Sequence, residues 1–171
     1  MNKARLHVGV SLLELLCFAI LFAVHFLGIL QIERFHATAF LLLPFFITFC
    51  MFESELPAAF SGLVLGMFLD AFSAESSIFN TLFFFLLGAL VAVLVKYLLN
   101  INFRCAIMLS LLSSLLYFLL RWLLFYAFSQ SLADSSAYIM QYALPTVIFT
   151  NLFSVPFFFL HKTFNNLKKD R

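Results

Sequence analysis

The sequence predicts an all-α integral membrane protein, a single domain over residues 1–171 built as a six-helix transmembrane bundle. Three observations predict it. Of 171 residues, 64% are hydrophobic and only 11% are charged, against about 45–50% and about 25% in soluble domains, and the mean hydropathy is +1.08. The apolar residues fall in long runs divided by short polar breaks, and a hydrocarbon core about 30 Å thick asks for runs of about 20 residues. Nine of the ten Lys and Arg residues fall in or beside a few of those breaks and at the chain ends, and Arg121 alone falls well inside a span. Disorder is excluded, because 26 Phe and the Leu, Val and Ile runs hold far more apolar surface than a disordered segment. The formal net charge of +2 is too small to suggest a nucleic-acid partner.

The first span, 8–30, follows Lys3 and Arg5. It is longer than the roughly 7–15-residue apolar stretch of a signal peptide, and no small-x-small cleavage pattern precedes the polar break that follows, so a retained helix is expected. The second and third spans, 37–52 and 56–72, are short and divided only by Glu53-Ser54-Glu55 and Pro57. One re-entrant hairpin would also fit, but two acids and a helix-starting proline suit a turn between two helices. The fourth and fifth spans are 78–99 and 106–128. The sixth, 138–160, carries Pro145 and Pro156 with Asn151 between them, an amide that could bond across helices or satisfy freed carbonyls. Loops are short, no extramembrane domain is expected, and no internal repeat argues for an inverted-repeat transporter.

Cytoplasmic loops are enriched in Lys and Arg. With the N-terminus inside, Lys3, Arg5, Lys96, Arg104, Lys162, Lys168, Lys169 and Arg171 all lie on the cytoplasmic side, and only Arg34 lies in an outer loop. Six helices return the C-terminus to the cytoplasm. Three cysteines with no C-x-x-C spacing make neither a disulfide framework nor a zinc site, so reduced thiols, no metal and no cofactor are expected.

Ionisable groups inside a span each cost on the order of 3 kcal/mol at the helix centre and need a partner or water. Glu14, Asp70 and Arg121 are the charged candidates. Asp70 closes the stripe Ala58-x-x-x-Gly62-x-x-x-Gly66-x-x-x-Asp70, whose four-residue spacing keeps small residues near one helix face where a backbone can approach. That face could pack within the fold or receive a partner. Asp70 and Arg121 fall in the same leaflet and have opposite charge, so they either pair or snorkel separately to the surface. Glu53 and Glu55 are too close to a turn to form a persuasive acid/base pair, and no nucleophilic or metal-ligand spacing appears. A non-enzymatic protein is expected.

The segment Gly62-Leu63-Val64-Leu65-Gly66-Met67-Phe68-Leu69-Asp70, a long fourth helix containing Gly88, a last helix with Pro156 and a short basic tail together resemble the MreD family of rod shape-determining bacterial membrane proteins. The resemblance implies a subunit of the cell-elongation machinery in the plasma membrane, in contact with the bitopic MreC and through it with MreB and the peptidoglycan synthases. The family is also similar in architecture to the six-helix substrate-binding subunits of energy-coupling-factor vitamin transporters, which supplies the alternative function. Ala19-x-x-x-Ala23 in the first helix resembles the small-residue contact of those subunits. A vitamin site would need polar groups around a pocket near the outer face, and few are present there.

Overall fold

The computed structural model describes residues 3–28, 31–32, 37–73, 78–126 and 143–169. In chain order these form α1 (Lys3–Phe26), a two-residue antiparallel pair β1 (Gln31–Ile32) and β2 (Ala37–Thr38), α2 (Leu42–Cys50), α3 (Glu55–Phe72), α4 (Phe79–Tyr97), α5 (Phe103–Arg121), α6 (Leu144–Leu152) and α7 (Ser154–Lys169). A π-helical turn, Trp122–Tyr126, continues α5. Among the described residues, five stretches are long and apolar enough to cross a membrane: Gly9–Phe26, Glu55–Phe72, Phe79–Tyr97, Phe103–Phe125 and Leu144–Lys168. The protein is a multi-pass membrane protein, and its described residues are helical apart from the β1–β2 pair and the connecting turns.

Its surface is that of a protein dissolved in lipid. Leu56, Phe60, Leu86, Met108, Ile148 and Leu152 are among many large apolar side chains that face outward, while Thr48, Ser110, Ser114, Thr150, Ser154 and His161 are buried. Apolar tails outside give no reward for burying Leu, so packing shape and hydrogen bonds between helices decide which faces turn inward.

The expected second span departs from the prediction. Only α2, nine residues or about 13 Å long, is helical, and residues 37–40 precede it as non-helical chain reaching at most about 13 Å. Every residue from Ala39 to Thr48 is buried, and α2 packs against α1, α3, α4, α5, α6 and α7. Non-helical backbone at membrane depth survives only where protein surrounds it and its polar groups are met. Thr150 supplies that partner, its Oγ1 accepting the Phe40 N–H at 3.0 Å.

The last span is interrupted rather than short. Pro156 has no N–H to offer the carbonyl four residues back, and the helix breaks at Phe153, whose N–H bonds the Thr150 carbonyl instead. Beyond the break α7 runs through Lys169, past the expected end at 160. The beginnings of the expected sixth span and the end of the fifth lie outside the described residues.

Candidate functional site

The most extensive helix contact joins α3 and α4, which run antiparallel. Ala58, Gly62 and Gly66 form its α3 side, all buried. A Cβ at Gly62 would collide with the Phe84 carbonyl, one at Gly66 with the Asn80 carbonyl and Thr81 backbone, and one at Gly88 on α4 with the Ala58 carbonyl. The stripe read from the sequence is therefore filled by α4 of the same chain. Backbone lies on backbone, and no side chain can be added without moving a helix.

Asp70 stands at the end of this stripe and meets the start of α4. Its Oδ1 accepts from the Asn80 N–H at 3.1 Å and Asn80 Nδ2 at 2.9 Å, and its Oδ2 accepts from the Thr81 N–H at 2.8 Å and Thr81 Oγ1 at 2.6 Å. Asn80 and Thr81 are the second and third residues of α4, whose first N–H groups have no partner inside the helix. The residue before α4, Ile78, supplies no side-chain cap. Asp70 is thus an N-cap delivered from the neighbouring helix, with its negative charge at the positive end of the α4 dipole.

Asp70 and Arg121 are not bonded to each other. Between them runs a chain of donors: Arg121 Nη1 reaches Tyr117 Oη at 3.5 Å, Tyr117 donates to Asn80 Oδ1 at 2.8 Å, and Asn80 donates to Asp70. Both oxygens of the carboxylate are taken by N–H and O–H groups at the start of α4. Tyr117 is buried, stacked on Phe40 at 5.2 Å. His25 also packs its ring against Phe40, at 4.9 Å.

Glu14 lies at the opposite end of the bundle. It is 7% exposed and accepts from Lys168 Nζ at 3.0 Å, and the same ammonium reaches Glu53 at 3.1 Å. One lysine near the end of α7 therefore ties α1 to the turn between α2 and α3. Lys96 and Glu55 pair nearby at 2.7 Å but are exposed. His161, buried between α7 and α2, bonds the Phe157 carbonyl at 3.0 Å and Thr48 Oγ1 at 3.1 Å. Thr48 spends its own proton on carbonyls of α2, so the histidine proton sits on Nδ1.

Between α5 and the broken α6–α7 span is a seam of small polar residues. Asn151 Nδ2 donates across it to Ser114 Oγ at 2.9 Å and back to the Val147 carbonyl at 2.8 Å, and Ser154 donates to the Asn151 carbonyl at 2.8 Å.

Sequence reasoning singled out Asp70, Arg121 and Glu14 but missed the residues that answer them: Asn80, Thr81, Tyr117 and Lys168, the last shared with Glu53. Asn80-Thr81, a polar pair opening an apolar helix, was the available signal. Nothing local announces Lys168, because Glu14 is at the other end of the chain.

Between α1 and α3 lies an apolar groove of about 580 Å³, with Ala19 in one wall and Ser61 in the other. The three cysteines are free. Among the described residues, no group of three or more His, Cys, Asp or Glu is placed to hold a metal ion. No family model, curated protein or solved structure matches this chain.

Proposed function

We propose that this protein is a non-enzymatic membrane subunit of the bacterial cell-elongation machinery, of the MreD kind, that supports cell shape and peptidoglycan synthesis by holding an MreC-like bitopic partner. MreB and the peptidoglycan synthases are reached through that partner. The observation that carries the reading is the α3–α4 hairpin. The glycine stripe ending in Asp70, on which the family resemblance rests, forms the closest helix contact among the described residues and is locked by a carboxylate cap. A rigid hairpin with lipid-facing outer surfaces suits a scaffold, which needs fixed shape more than a reacting centre.

In this reading the chain crosses the plasma membrane six times, counting residues 37–50 as a part-extended, part-helical pass, with an architecture similar to the substrate-binding subunits of energy-coupling-factor transporters. The end that holds Glu14, Glu53 and Lys168 faces the cytoplasm, as the Lys and Arg distribution asks. The alternative function is vitamin capture for such a transporter; the α1–α3 groove, where Ser61 is the one hydroxyl in an apolar lining, does not offer a site for it. A recognition pocket needs several placed polar groups.

Affinity purification of the tagged full-length chain from its native membrane is the test. An MreC-like protein should copurify, and depletion of this chain should round rod-shaped cells. Copurification of transporter ATPases, with cell shape intact, would replace this reading by the alternative.

A further inference from the structure

We propose that the groove between α1 and α3 holds one acyl chain of a membrane phospholipid. Its walls are apolar, and the hydroxyl of Ser61 is already spent on the Ala58 carbonyl at 2.9 Å. Nothing in it asks for a polar ligand. Its length selects the occupant. The lining runs along α3 from Ser61 to Phe72, about 16 Å at 1.5 Å per residue, and along α1 from Leu15 to Phe22, about 10 Å. That is about half of a hydrocarbon core about 30 Å thick.

One end is also closed. Phe22 of α1 meets Phe68 and Phe72 of α3 at ring separations of 6.1 and 5.5 Å, and Phe26 meets Phe72 at 5.2 Å. A spanning helix, from a partner or a second copy, needs a track of about 20 residues open at both ends. The aromatic rings obstruct such a track. An alkyl chain is thin, ends within the bilayer and needs no polar partner, so it can lie past Ala19 with its tip against the rings. The leaflet at the Lys168 end is the one whose chains approach from the open side.

The experiment is native mass spectrometry of the full-length protein in mild detergent, with phosphatidylglycerol in one arm and free palmitate in the other. One retained phosphatidylglycerol per chain is expected, reduced at least fivefold by Ala19→Phe and by Ser61→Leu, which fill the groove from opposite walls. Equal retention in folded forms of both variants, preference for palmitate, or a dimer in place of the lipid adduct would overturn the proposal. A second measurement leaves the groove unfilled. In a Trp122→Phe background, Val64→Trp should be quenched by brominated-chain phosphatidylglycerol at a mole fraction that leaves Leu112→Trp, on the lipid-facing side of α5, largely unquenched. Equal quenching at the two positions would show ordinary exchanging lipid and contradict a held chain.

Discussion

In the α3–α4 hairpin two helices meet backbone to backbone at Gly62, Gly66 and Gly88, whereas α5 meets α6 through hydrogen bonds between side chains, Asn151 to Ser114. Both interfaces lie where lipid removes the hydrophobic drive for association. The first gains from close approach alone, with carbonyls and Cα atoms filling the space that side chains would occupy. The second gains from satisfying polar groups that would otherwise face hydrocarbon, a gain of about 0.6 kcal/mol on average and seldom above about 1.7 per bond. The hairpin should therefore tolerate almost no added volume. The seam should tolerate exchange of its polar atoms at modest cost.

The largest effect is expected at the hairpin. Gly66→Leu forces a side chain into the Asn80–Thr81 backbone and should cost about 3 kcal/mol, the upper part of the usual overpacking range, read as a loss of thermal stability in detergent. Unchanged stability would mean that the helices separate freely and that the contrast with the seam is unfounded. Next comes Asp70→Ala, which leaves two N–H groups of α4 without their acceptor. Loss of a cap costs about 0.5–2 kcal/mol, and hydrogen exchange at Asn80 and Thr81 should rise before that of the rest of α4.

Asn151→Leu should cost about 1 kcal/mol, with Ser114→Ala adding little in the same chain because the two share one bond. A loss as large as that at Gly66 would put the seam on an equal footing with the hairpin. The smallest effect is expected at Lys96→Gln, which breaks the exposed pair with Glu55. Surface pairs contribute little and are screened by salt, so no measurable change in stability is expected.

What the sequence disclosed follows the same division. The hairpin contact is local and periodic: small residues at four-residue spacing mark a face, and Asp70 marks its end. Long apolar runs likewise disclose α1, α3, α4 and α5. The α2 segment was opaque because residues 37–52 carry no charge and only Thr38 and Thr48 as polar residues, and so uniformly apolar a stretch has no polar face to reveal whether its period is that of helix or extended chain. The partners of Asp70 and Glu14 were opaque for another reason. Arg121 was the natural counter-charge for Asp70 by sign and depth, yet the carboxylate is met by uncharged N–H and O–H groups at the start of the next helix, and charge arithmetic does not count those. Glu14 finds Lys168 across the whole chain, a pairing that only the return of α7 beside α1 creates.

The central claim is that Asp70 holds the hairpin by capping α4. A pair of double-mutant cycles in the full-length protein tests it most directly, using stability in detergent as the readout. Asp70→Asn combined with Thr81→Val should show a coupling of about 1 kcal/mol or more, within the usual range for residues sharing a bond. Asp70→Asn combined with Arg121→Gln should show a much smaller one, because Tyr117 and Asn80 stand between them. A strong coupling to Arg121 with none to Thr81 would mean that the acid pairs across to α5, and the capped hairpin would have to be abandoned.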